Sequence, residues 1–158
     1  MQRIARSWTR TLAVACAAFL LGACEGLFTG KAADSIPLQP AGDGGFKPVV
    51  VALTAEMSPV ALNFHAELGN HPHETGKWNS YRATLSRSGR VVASQKFNVS
   101  YTGTVELAPA HPAQTITMLV HRVEENGEYT LAITPVRAVE VSLQNVRVDV
   151  RRNVQVPR

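Results

Sequence analysis

Between Pro59 and Leu68 the chain reads Pro-Val-Ala-Leu-Asn-Phe-His-Ala-Glu-Leu. An extended backbone puts Val60, Leu62, Phe64, Ala66 and Leu68 on one side and Ala61, Asn63, His65 and Glu67 on the other. Large apolar groups at every second place are the mark of a strand with one buried face. Val49, Val51, Leu53 and Ala55 keep the same period just upstream, and Pro59 after Ser58 separates the two strands. No segment after Phe46 carries a sustained helical apolar stripe, and no internal repeat of fixed period occurs.

Two hairpins are expected further on. Tyr81, Ala83 and Leu85 must share a face with Val91, Ala93, Phe97 and Val99. A two-residue Ser88-Gly89 turn sets Leu85 opposite Val92 and throws the two sets onto opposite faces. A three-residue Arg87-Ser88-Gly89 loop with a bulge at Gly89 sets Leu85 opposite Val91 and Ala83 opposite Ala93, and is the expected register. The stretches 116–123 and 129–134 flank Asn126-Gly127, a strong hairpin signal. There a two-residue turn places His121 opposite Ala132 and a three-residue loop places it opposite Leu131; the spacing leaves both open.

The apolar phase of Val139, Val141 and Leu143 shifts to that of Val146, Val148 and Val150. The expected cause is a bulge at Gln144-Asn145 in one long strand, because neither residue is the glycine that a tight turn prefers. Seven to nine short strands in this length predict an all-β fold, an antiparallel β-sandwich of immunoglobulin-like or jelly-roll-like type, with a small barrel as the alternative.

Ahead of the strands, Arg3, Arg6 and Arg10 precede an uncharged run from Thr11 to Ala23 that closes on Leu21-Gly22-Ala23-Cys24. The run is too short for the ~20 apolar residues of a bilayer span and reads as a targeting segment. Bulky Leu21 is wrong for ordinary signal cleavage before Cys24. These 24 residues resemble a bacterial lipoprotein signal peptide. The resemblance implies removal of residues 1–23, a diacylglycerol on the Cys24 thiol and an acyl group on its new amine. Three chains at about 0.8 kcal/mol per buried CH₂ hold a protein stably on a membrane. Glu25, where an aspartate would retain such a protein at the inner membrane, implies the outer membrane of a Gram-negative cell, facing the periplasm.

Processing would remove three arginines and with them most of the +4 formal charge of the precursor. A nucleic-acid reading loses its support, since phosphate binding needs a concentrated basic face. Arg147, Arg151, Arg152 and Arg158 form a local excess best read as a charged strand edge. Cys16 lies in the signal and Cys24 would carry lipid, so the mature chain would have neither thiol nor disulfide. Residues 24–45, rich in Gly, Ala, Pro and Asp, are expected to be a flexible tether with a span of about 25 Å. The sandwich domain then runs from 46 to 158.

Chemistry-bearing residues are few. His65, His71, His73 and Glu74 are the sharpest cluster. Pro72 keeps His71 and His73 extended with both rings on one side, and three imidazoles with a carboxylate would suit Zn²⁺ or Cu²⁺. The spacing matches no zinc template. His111 and His121 stand alone, and Met57 and Met118 suit core filling better than copper. Trp78 and Tyr81, with Phe46 and Tyr101, are the aromatics that a sandwich uses to stack a sugar or grip a peptide. No nucleophile elbow, phosphate loop or dinucleotide fingerprint occurs, and no reaction or resident cofactor is indicated. The whole resembles, in general architecture only, small lipid-anchored periplasmic sandwiches that serve in envelope and secretion-system assembly. The expected role is a non-catalytic adaptor that binds another envelope protein, through a strand edge or the 69–77 or 108–114 loop. The alternatives are a periplasmic metal binder, an inhibitor or immunity module, and a glycan-binding module.

Overall fold

Most of the alternating segments form strands, and the strands pair so that their apolar faces meet. The computed structural model describes residues 30–69, 71–100 and 113–155. The strands are β1 (Lys31–Pro37), β2 (Phe46–Leu53), β3 (Val60–Leu68), β4 (Trp78–Arg87), β5 (Arg90–Ser100), β6 (Ala113–His121), β7 (Gly127–Pro135) and β8 (Leu143–Arg152). They make two four-stranded antiparallel sheets, in the orders β1-β8-β3-β6 and β2-β7-β4-β5. The pairs β4 with β5, β3 with β6, β2 with β7 and β1 with β8 are nested around Ser88-Gly89. They are one long antiparallel ribbon. Rolling it up adds the pairs β3 with β8 and β4 with β7, which gives a jelly roll.

The inner faces of β3 and β4 are as the period of two predicts, whereas on β5 only Phe97 and Val99 are buried and Val91 faces out. Val60, Leu62, Phe64, Ala66 and Leu68 are all buried, and so are Tyr81, Ala83 and Leu85 opposite them. Phe46, Phe64, Tyr81 and Phe97 form an aromatic cluster at the centre, with neighbouring ring centroids 5.1 to 5.9 Å apart. Edge and tilted contacts of this kind match the ring quadrupoles, which favour them over face-to-face sandwiches.

Several expectations are corrected. Part of the segment read as a tether is structured: residues 31–37 are β1, paired along β8 from Lys31 opposite Arg152 to Pro37 opposite Arg147. Beyond it, Leu38 is buried, and the Asp43 carboxylate accepts the Gly45 N–H at 2.9 Å to close a turn. β1 is an edge strand exposed almost throughout. Its ladder uses backbone groups alone, so its side chains need no apolar alternation.

The Ser88-Gly89 turn has two residues, both at positive φ (49° and 77°), with Arg87 opposite Arg90. The face conflict that counted against this turn is removed by a bulge. Ser86 pairs with Val91 but Leu85 pairs with Ala93, so Val92 is the extra residue and Tyr81 faces Phe97. The Asn126-Gly127 hairpin does not form. β6 pairs with β3 in one sheet and β7 with β2 and β4 in the other. Residues 122–126 cross between the layers, and the Asn126 side chain accepts the Ala55 N–H at 2.7 Å. His121 therefore faces Val60 rather than either β7 partner. The bulge near Gln144-Asn145 is present: His65 pairs with Arg147 but Glu67 with Gln144, and Asn145 sits at φ 49°. The strand begins only at Leu143, so Val139 and Val141 belong to the preceding connection.

Candidate functional site

β4 begins at the end of the sandwich where β7 stops and β8 starts. The connection 136–142 crosses this end, and two buried polar side chains hold its backbone. Asn79 follows the inward parity of Tyr81, Ala83 and Leu85 and is 0 % exposed. Its amide donates to the Val141 carbonyl at 2.7 Å and to the Tyr81 hydroxyl at 3.2 Å. Its carbonyl accepts the Glu140 and Val141 N–H groups at 2.8 and 2.9 Å. Two donors and two acceptor positions are thus all used, as a buried amide requires.

Glu74, in the short 3₁₀ turn Pro72–Glu74, is 3 % exposed. One of its oxygens accepts the Ser142 hydroxyl at 2.6 Å and the other accepts the Ser142 N–H at 3.1 Å. Gly69 N–H donates to the Ser142 carbonyl at 2.9 Å, and Val136 N–H to the Ser80 carbonyl at 2.8 Å. The connection is therefore pinned along its length.

Burial by itself would raise the Glu74 pKa. The Ser142 hydrogen bonds and the positive charge of protonated His71 and His73 outweigh it and hold the carboxyl below its ordinary 4.5. The unfolded chain then binds the more protons between that folded value and 4.5. The Glu74 contribution is complete above about 4.5 and is lost as pH falls through the folded value. Replacing Glu74 by Gln should cost about 1–3 kcal/mol at neutral pH. Urea titrations at several pH values should show the gap to wild type closing on acidification below 4.5.

The pinned connection carries exposed groups. Val136 and Val139 are 43 % and 41 % exposed, and Trp78 is 37 % exposed. The Arg137 guanidinium lies over the Trp78 ring, 4.3 Å from its centroid, and also pairs with Glu140. Beside them an open cleft of about 360 Å³ is lined by Ala41, Gly44, Phe46, Val139, Val141 and Leu143.

The predicted site residues separate into different roles. His71 and His73 stack with centroids 5.5 Å apart, and His73 Nε2 is 4.0 Å from the Glu74 carboxylate. His65 is not part of that group: its Nδ1 lies 2.9 Å from the Thr115 hydroxyl on the outer face of the first sheet. With Glu74 engaged by Ser142, the expected four-residue metal set is not assembled. Among the described residues no three His, Cys, Asp or Glu side chains are grouped to hold a metal ion. Tyr81 is corrected from a ligand-stacking residue to a core residue, 1 % exposed, and Phe46 belongs to the same core. Met118 is buried, Met57 packs against the core, and His121 sets its ring against Tyr129 at 5.9 Å. Cys24 with the whole lipoprotein-like segment, Tyr101, and residues 108–112 of the second loop, His111 included, lie outside the described residues.

Sequence reasoning passed over Asn79, Ser142 and Arg137. Only Asn79 had a legible signal, a polar residue at an inward place of an alternating strand. No family model matches the chain and no curated protein matches it, so the jelly-roll fold and the pinned, partly apolar end of the sandwich are what bear on function.

Proposed function

We propose that this is a lipid-anchored binding module of the bacterial cell envelope, held by Cys24 at the periplasmic face of the outer membrane, that grips another envelope protein through the 136–142 end. The observation that carries the reading is the exposed stack of Arg137 on Trp78 beside Val136 and Val139, on a backbone fixed by Asn79 and Glu74. Trp and Arg are the side chains that most often dominate binding energy at protein interfaces. A surface fixed in advance does not lose ordering entropy on association. The role is binding rather than catalysis: the one carboxylate buried among the described residues, Glu74, is held by Ser142, with a lowered pKa that makes it a poor base. The anchor is supported by Leu21-Gly22-Ala23-Cys24 and the arginines before it.

The test is a crosslinked affinity purification of the full precursor from its native envelope. One envelope protein in stoichiometric amount is the expected catch. Trp78→Ala should weaken its binding about 30-fold or more, the size of an interface hot spot, with the circular-dichroism spectrum unchanged. Equal recovery by wild type and Trp78→Ala would remove this end as the site. Labelled palmitate should enter the wild type and not Cys24→Ser.

A further inference from the structure

Apart from Val50 on β2, the large apolar side chains exposed on the described domain gather at its two ends. Trp78, Val136 and Val139 mark the end just described. At the opposite end Val91 and Val92, 57 % and 39 % exposed, follow the β4 to β5 turn, and Val120, 43 % exposed, precedes the last residue of β6. Val91, Val92 and Arg90 line one side of an open cleft of about 650 Å³, and His121 and Arg122 line the other.

The same end receives the chain from Cys24. Lys31 pairs with Arg152, Ala61 with Arg151, and Val60 with His121 in the first sheet. Leu53 pairs with Gly127 in the second. The β4 to β5 tip joins them through the ion pair of Arg87 with Glu125 and its 3.1 Å hydrogen bond to the Asn126 carbonyl. Gly30, the hairpin tip and the end of β6 therefore share one pole. Trp78 lies nine residues along β4 from Arg87, about 30 Å away at the strand rise. The stretch from Cys24 to Lys31 reaches at most about 25 Å even fully extended. A lipid on Cys24 would keep this pole, and not the Trp78 end, within easy reach of the bilayer.

We infer that the anchor-side pole rests on the phospholipid surface, with Val91 and Val92 in the headgroup region and Arg90 and Arg122 on anionic headgroups; this rests on the Cys24 anchor proposed above. Small apolar groups flanked by arginines suit that interface, because the guanidinium heads stay in the polar layer while the apolar groups leave water. Glu124 and Glu125 share the pole and Glu125 already neutralises Arg87, so charge attraction alone is modest and the two valines supply the rest. The anchor raises the local concentration of lipid around a surface too weak to bind membranes unaided. This orientation turns the Trp78 and Arg137 surface away from the membrane, toward a partner.

The test uses the full precursor, matured in a Gram-negative host and reconstituted into phosphatidylethanolamine and phosphatidylglycerol vesicles containing spin-labelled phospholipid. Trp78, the one tryptophan after Cys24, reports on one end, and an environment-sensitive dye on Ser88→Cys reports on the other. The dye should lose most of its emission to the spin label while Trp78 keeps its own. Val91→Ser with Val92→Ser should restore the dye emission. Trp78 quenched as strongly as the dye, or neither quenched on vesicles that retain the protein, would overturn the orientation and leave the cleft to another occupant. Protein that neither floats with vesicles nor carries lipid would instead overturn the anchor.

Discussion

Asn79→Ala is expected to destabilise the domain by about 4 kcal/mol. The substitution leaves the Glu140 and Val141 N–H groups and the Val141 carbonyl without their partner at a fully buried position. An unsatisfied buried donor or acceptor costs about 1–3 kcal/mol, and the freed connection recovers part of this by reaching water. Urea unfolding should show a lower midpoint at an unchanged slope. A loss below about 1 kcal/mol would mean that other contacts hold the connection. Asn79→Asp separates hydrogen bonding from volume. Its carboxylate still accepts the two N–H groups but turns an oxygen on the Val141 carbonyl, which raises its pKa. The variant should therefore be least stable at neutral pH and recover as pH falls through that raised value. Because the connection carries Arg137, Val136 and Val139, Asn79→Ala should also weaken binding of the envelope protein proposed as partner.

Phe64→Ala should cost a similar amount, about 3–5 kcal/mol, for a different reason. Phe64 is 1 % exposed and meets the rings of Phe46, Tyr81 and Phe97 from the opposite sheet. Truncation opens a cavity at the middle of a core that both sheets share, where neither can close without shifting its strands. Phe64→Leu should cost roughly 1–2 kcal/mol, since it keeps most of the volume. Neither change touches the 136–142 surface. Binding of the proposed partner by folded Phe64→Leu should therefore match wild type, which distinguishes loss of stability from loss of the proposed site.

The two residues differ in how visible their roles are in the chain. Phe64 sits at the centre of the clearest alternation, and the buried faces of β3 and β4 follow from that period. The displaced phase after Leu143 likewise announces the bulge that Asn145 makes at positive φ. Asn79 is visible only as a polar residue in an apolar place, and apart from the Tyr81 hydroxyl the atoms that satisfy it lie 61 and 62 residues away. Trp78 was legible as an aromatic at a strand start, whereas the Arg137 that covers it comes from a distant connection.

Local sequence thus determined the all-β class, most of the strands from β2 onward and the buried faces of β3 and β4, because a strand's period of two is written in consecutive residues. Beyond the β4–β5 hairpin, only the tertiary structure decided the pairing. β1 against β8 and β6 against β3 are ladders of backbone groups, which every residue except proline carries in full, so no side-chain pattern records them. The rolled ribbon turned an Asn-Gly hairpin signal into a crossover, drew residues 31–37 into a sheet, and placed Asn79 and Glu74 under one connection. Those long-range pairings built both ends of the molecule, and neither end exists in any short stretch of the chain.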